Sequence, residues 1–191
     1  DGTVVAWGSN LLGQTDVPGD LGICRAVGCG WKCTFAITQA GEIRGWGENT
    51  SYGVIDNIPA GTGFSAVEGG ESHALALRDN GSVVSWGRFT DYPSGTDFID
   101  ISAGFSHCVA LRSDGSIERW GQFYYDPPAG FYTDVAAGYN YCIALKDDGT
   151  IVHWGENPYN SGVDQVPQGN NFVEVDTRYY TCFARKSDGT I

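Results

Sequence analysis

A Trp-Gly pair recurs along this chain at Trp7-Gly8, Trp46-Gly47, Trp86-Gly87, Trp120-Gly121 and Trp154-Gly155, spaced by 39, 40, 34 and 34 residues. Self-similarity at a period of this length constrains the fold more than any other feature. It means that one small supersecondary unit is repeated, and that each unit buries its apolar face only against its neighbours. Five residues before each Trp stands a glycine (Gly2, Gly41, Gly81, Gly115, Gly149), and a sixth, Gly189, has the same surroundings upstream.

Upstream of these glycines lie short apolar runs such as Ser72 to Leu77, Ser106 to Leu111 and Asn140 to Leu145, with weaker versions at Lys32 to Ile37 and Tyr180 to Arg185. Each run is followed by Asp-Gly, Asn-Gly or Ala-Gly and then by a second run such as Ser116 to Trp120, which is the signature of a β-hairpin. The repeated unit covers residues 26–47, 66–87, 100–121 and 134–155, and all seven prolines fall between units. Proline removes a ladder hydrogen bond, so the units read as sheet and the intervening segments as surface loops. With 28 Gly and no Met, the composition also favours strands and turns over helices.

The reading is an all-β chain: one β-propeller domain over residues 1–191, with five blades, the N-terminal strand completing the last. The turn Asp-Gly-Thr occurs at both ends, at Asp1 and Asp188, where circular closure needs it once. The alternative is therefore that the five units are part of a seven-bladed array. The absence of an initiator Met and of any signal-like segment reads as a mature or trimmed soluble domain.

The 23 acidic against 11 basic residues give a net charge of −12, which repels polyphosphate and counts against nucleic acid and anionic membranes as partners. No apolar run has the length to span a bilayer as a helix, so no membrane insertion is expected.

The stretch Ala-Gly-Phe-Ser-His-Cys-Val-Ala-Leu-Arg-Ser-Asp-Gly-Ser-Ile-Glu-Arg-Trp-Gly at 103–121 resembles the repeat of the regulator of chromosome condensation family. The short repeats, with Val4 to Asn10 and Gly13 to Pro18, are closest to members of the beta-lactamase inhibitor protein II type. The resemblance implies a propeller. It leaves function open, because one fold hosts many activities.

His73 and His107 occupy one repeat position, shared with Cys33, Tyr141 and Thr181, and so read as a recurring structural residue at a strand start. No Ser-His-Asp or Cys-His grouping is arguable, and no catalytic residue is assigned. Asp114, Asp148 and Asp188 precede turn glycines and read as turn formers. Asp147-Asp148 and Asp97 to Asp100 lack the alternation of a calcium loop, so neither metal nor cofactor is expected. Cys108, Cys142 and Cys182 recur at one repeat position and read as buried thiols, while any disulfide belongs within Cys24, Cys29 and Cys33. Asn49-Thr50-Ser51 and Asn80-Gly81-Ser82 are N-glycosylation acceptor triplets, the second also a tight turn.

The functional signal lies in the short loop before each His-position strand, where successive units present Trp31-Lys32, Glu71-Ser72, Phe105-Ser106, Tyr139-Asn140 and Tyr179-Tyr180. Four of the five carry an aromatic residue at the first position, which suits a rigid binding rim. The inhibitor-type resemblance implies a partner-contacting role for Trp31, Phe105, Tyr139 and Tyr179. A second aromatic set, Phe123-Tyr124-Tyr125, Phe131-Tyr132, Phe89 and Tyr92, lies between units and reads as loop packing or a lateral surface. The expectation is a non-enzymatic, secreted or extracellular protein-binding propeller that recognises a partner through Trp31, Lys32, Glu71, Phe105, Tyr139, Asn140, Tyr179 and Tyr180. The alternatives are a module of an extracellular fibre that contacts copies of itself, and a glycan-binding propeller.

Overall fold

The computed structural model describes residues 1–191, apart from the side chain at position 158. The chain divides into two compact units, Asp1–Asp97 and Phe98–Ile191. The first holds two antiparallel three-stranded sheets: β1 (Cys24–Cys29), β2 (Cys33–Thr38), β3 (Ile43–Gly47), and β4 (Phe64–Gly69), β5 (His73–Arg78), β6 (Val83–Gly87). The second holds β7 (Phe98–Ala103), β8 (His107–Arg112), β9 (Ile117–Gly121), then β10 (Tyr132–Ala137), β11 (Tyr141–Lys146), β12 (Ile151–Gly155), and a two-stranded pair, β13 (Phe172–Arg178) and β14 (Thr181–Lys186). One turn of 3-10 helix, Pro158–Asn160, lies in the segment after β12.

The hairpins read from the sequence are β2–β3, β5–β6, β8–β9 and β11–β12, in the register Cys33↔Gly47, His73↔Gly87, His107↔Gly121 and Tyr141↔Gly155. Each sheet also has an earlier strand that the two-run pattern does not reveal. In β4 and β7 buried and less buried positions alternate, and each early strand shifts register one residue in. The second strands β2, β5, β8 and β11 are buried over their first five residues, each flanked by a sheet partner on both sides.

β14 has the same sequence character but is largely exposed, being paired among the described residues with β13 alone. Cys182, expected to be buried like Cys108 and Cys142, is exposed for that reason. Residues 1–8, expected to supply the third strand of the last sheet, form no strand. They instead mark a turn ahead of β1: the Cys24 amide donates to the Gly2 carbonyl at 2.8 Å, as Phe64 does to Gly41 at 3.2 Å. Trp7 is 84% exposed, whereas its repeat equivalents Trp46 and Trp86 are buried.

Successive sheets within a unit are joined by a repeated set of bonds. The Trp31 amide donates to the Gly70 carbonyl, Phe105 to Gly138, and Tyr139 to Tyr179, each at 3.1 Å. Arg25 of β1 reaches the Phe64 carbonyl and the Asp79 carboxylate. In the second unit, the Ala137 amide donates to Ser102 Oγ at 3.0 Å and the Val175 amide to Asp134 Oδ2 at 2.8 Å. Apolar clusters fill the space between sheets: Phe35, Phe64, Val67 and Trp86 in the first unit, and Val109, Tyr132, Val135 and Trp154 in the second.

Asp100 on β7 and Asp134 on β10 share a hydrogen bond across two sheets, and burial, then the Asp134 charge, pushes Asp100 up to about 7. Burial pushes Asp134 up too, and Glu174 on β13 adds like charge. An unfolded Asp titrates near ~3.9, so between about pH 4 and pH 7 the folded state holds a proton that the unfolded chain has released. This pair therefore lowers stability as pH rises through that window. Asp100→Asn, which keeps the shared hydrogen bond without the charge, is expected to raise the thermal midpoint at pH 8 by roughly 2–6 °C and to change it little at pH 5. Thermal scans at the two pH values check this, and an equal loss at both would show that no proton is held there.

Candidate binding surface

The Trp-Gly repeat has a local cause. The residue after each glycine donates its amide to the loop before the second strand: Glu48 to the Lys32 carbonyl, Arg88 to Ser72, Gln122 to Ser106, and Glu156 to Asn140, at 2.8–2.9 Å. The intervening glycines Gly47, Gly87 and Gly155 have φ of 103°, 85° and 102°, and a Cβ there would lie 2.5–2.7 Å from those same loop carbonyl oxygens. Only glycine tolerates both the dihedral and the approach. The outer hairpin strand thus pins each presenting loop from one side.

A second glycine pins it from below. In the loop before β8 a Cβ at Gly104 would enter the His107 imidazole, and before β11 a Cβ at Gly138 would enter the Tyr141 ring. Before β14 the equivalent of these glycines is Arg178, and the ring position holds Thr181. There a Cβ stands above a Thr side chain rather than above a ring, whereas before β2 a Cβ at Gly30 would lie 2.6 Å from Cys33 Sγ.

In the first unit, Trp31 is 44% exposed, with Lys32 Nζ 5.1 Å from its ring centroid. Lys32 is also salt-bridged to Glu48 at 2.9 Å. Glu71 is half-buried in the β4–β5 loop, next to the Gly70 carbonyl that receives the Trp31 amide. In the second unit the presenting loops come together as a ring-to-ring series. Phe105 stacks on Tyr139 at 4.3 Å, Tyr139 meets Tyr180 at 5.2 Å and Tyr179 at 6.3 Å, and Tyr159 packs edge-on against Tyr180 at 5.8 Å. Tyr179 sits in the left-handed region at φ 53°, a strained backbone for a bulky residue.

Beside this series lies a cleft of about 460 Å³ lined by Phe105, Ser106, Gln122, Phe123, Tyr124, Tyr125, Tyr139, Asn140 and Glu156. Phe123 is buried and stacks on His107 at 4.3 Å, which fixes the cleft's inner end. The two aromatic sets kept apart in the sequence reading therefore meet here. The Glu156 carboxylate accepts a bond from Asn140 Nδ2 at 3.1 Å and another from the Tyr125 hydroxyl at 3.4 Å. Glu156, Tyr159 and Gln122 were not singled out from the sequence. The signal for Glu156 and Gln122 was present in the repeat, since both directly follow a Trp-Gly pair.

His73 and His107 are fully buried at their repeat position. His107 Nε2 lies 3.2 Å from Cys142 Sγ, but burial holds that thiol well above its ordinary range and so disfavours the thiolate a nucleophile requires. Cys24, Cys108, Cys142 and Cys182 form no disulfide. Among the described residues no group of three or more His, Cys, Asp or Glu side chains is gathered as metal ligands. The turn carboxylates cap their own backbone, as when Asp114 Oδ1 accepts from the Ser116 amide at 2.9 Å. Asn80 does the same toward Ser82 at 3.0 Å. Asn49 is held inside its loop, its Nδ2 donating to Asp56 at 2.6 Å, a bond that a glycan on that nitrogen would displace.

The regulator of chromosome condensation (RCC1) repeat matches residues 64–92 and 132–161. No curated protein matches the chain in sequence. Among solved structures, the CRINKLY WD40 ectodomain of the Arabidopsis thaliana receptor kinase ACR4 is similar with a TM-score of 0.75 at 22% identity, over 95% of this chain and 67% of that one. The ectodomain of the Physcomitrella patens receptor kinase CR4 gives 0.75 at 16% identity, over 87% and 52%. Prp20p of Saccharomyces cerevisiae, described with its binding properties to Gsp1p and histones, gives 0.67 at 15%, over 85% and 55%. The chain thus spans between about half and two thirds of the length of these structures. These matches carry the repeat and the fold, and the expected nearness to the beta-lactamase inhibitor type does not follow from them.

Gly138→Ala is expected to destabilise by about 1–3 kcal/mol through overpacking against Tyr141. Placed on a Tyr141→Thr background, which copies the Arg178 and Thr181 arrangement, the same change is expected to cost less than ~1 kcal/mol. A double-mutant cycle by denaturant unfolding measures the difference, and strict additivity would rule out the ring as the cause.

Proposed function

From the premise that the chain is an RCC1-like repeat propeller, we propose that it is a non-enzymatic protein-binding module. Its partner meets the aromatic series Phe105, Tyr139, Tyr179 and Tyr180. The observation that carries this reading is the unbroken ring-to-ring packing of loops from three successive sheets, which presents half-buried aromatic faces on a preorganised backbone. Tyrosine supplies large contact area at low entropy cost, and preorganisation removes the ordering penalty that weakens flexible loops. The left-handed Tyr179 backbone supports the same reading, because strain of this kind is retained where the surrounding structure enforces a functional geometry.

Trp31, Lys32 and Glu71 form the equivalent loops of the first unit and belong to the proposed surface there, with Asn140 at the edge of the cleft. The likeness to receptor ectodomains favours a place outside the cell. Among the described residues no helix is long and apolar enough to cross a membrane.

The test begins with a partner captured by the intact chain and identified by mass spectrometry, whose affinity is then measured against variants. Phe105→Ala and Tyr139→Ala are each expected to weaken binding by more than ~1 kcal/mol while leaving the thermal midpoint within a few degrees of wild type. Unchanged affinity in both variants would remove the aromatic series as the contact surface.

A further inference from the structure

We infer that the cleft beside the aromatic series is a receptor for a basic side chain, so that the partner anchors itself with an arginine or lysine of its own. This rests on the protein-binding reading and adds the chemistry of the anchor. The cleft holds about 460 Å³, and the Phe105, Tyr139, Tyr124 and Tyr125 rings all line it. Tyr124 is 83% exposed, so its ring is open to a ligand rather than consumed by packing. Aromatic faces attract a cation lying within about 6 Å of their centroids, and a cleft lined by several rings offers a guanidinium more than one of them.

The one charged side chain in the lining is Glu156, an anion. Its carboxylate accepts bonds from two other residues of the lining, from Asn140 Nδ2 at 3.1 Å and from the Tyr125 hydroxyl at 3.4 Å. A carboxylate has room for about four hydrogen bonds, so two donors orient it and leave acceptor capacity for an incoming N–H. The surrounding charge agrees, since residues 98–191 carry twelve Asp and Glu against six Lys and Arg. A basic partner would be drawn to such a surface, and an acidic one turned away. A sugar would use the rings and amides of the same cleft but would gain nothing from the fixed charge.

The experiment titrates the full-length chain with acetylated tri-arginine amide by NMR, beside its neutral isostere tri-citrulline amide and the uncharged sugars chitotriose and xylotriose. The tri-arginine peptide is expected to shift the Tyr124, Tyr125 and Tyr139 ring resonances and to bind about tenfold more tightly than tri-citrulline. Its affinity is expected to fall as salt rises. Glu156→Gln, which keeps the Asn140 and Tyr125 contacts, is expected to abolish the preference for arginine over citrulline while leaving the thermal midpoint unchanged. Equal binding of the two peptides, an undiminished preference in Glu156→Gln, or tighter binding of either sugar at these rings would each overturn the inference. The captured partner separates the two readings. If Phe105→Ala or Tyr139→Ala weakens it and Glu156→Gln does not, the aromatic surface stands and the basic anchor falls; if none of the three weakens it, both fall.

Discussion

The structure depends on a contact that is made of backbone alone. After Trp46, Trp86 and Trp154 the chain turns through a glycine so close to the neighbouring loop that a Cβ would strike its carbonyl oxygen, and the next amide then donates to that oxygen. The bond fixes the loop before the second strand relative to the outer hairpin, blade after blade, without using any loop side chain. The tryptophan serves the same closure from the other side: Trp46 Nε1 donates to the Gln14 carbonyl and Trp86 Nε1 to the Val54 carbonyl, tying the connecting segment over the sheet. A loop held by its backbone has side chains free to vary, as Trp31, Glu71, Phe105, Tyr139 and Tyr179 do at one repeat position.

This separation explains how much was legible in the sequence. The hairpins, their turn glycines and the proline-bearing connections follow from residue types that act locally, through positive φ, a missing amide hydrogen or apolar runs. The first strand of each sheet was harder to read, because half of its residues face away from the core and its register shift breaks the alternation that marks a strand. The presenting loops were found because they occupy one phase of the repeat. What a linear reading could not supply was the approach of a loop to the segment after the next Trp-Gly. That approach joins Phe105 and Tyr139 to Tyr124 and Tyr125, and it makes Glu156 part of the same cleft.

Polar groups inside the second unit divide by what they join. The Ser102, Asp134 and Tyr141 side chains each reach into the next sheet, so that sheet-to-sheet adhesion is partly hydrogen bonding and not burial alone. Such groups are costly to strand without partners, which makes their pairing specific to one stacking of sheets. The carboxyl pair of Asp100 and Asp134 shows the limit of the strategy: two acids placed where one proton must be shared make that joint responsive to pH.

The last sheet shows what happens when a repeat departs from its pattern. Thr181 stands in place of a ring, and Arg178 stands where the other loops have glycine. The backbone ahead of β14 then carries Tyr179 in a left-handed conformation, its carbonyl accepting the Tyr139 amide at 3.1 Å, while Tyr180 lies against both Tyr139 and Tyr159. A glycine at 178 would restore the repeat but return freedom to a loop whose rings need a fixed orientation to act as one surface. The deviation thus replaces support from beneath with support from neighbouring aromatic faces, and it does so at the point where the series of rings is densest.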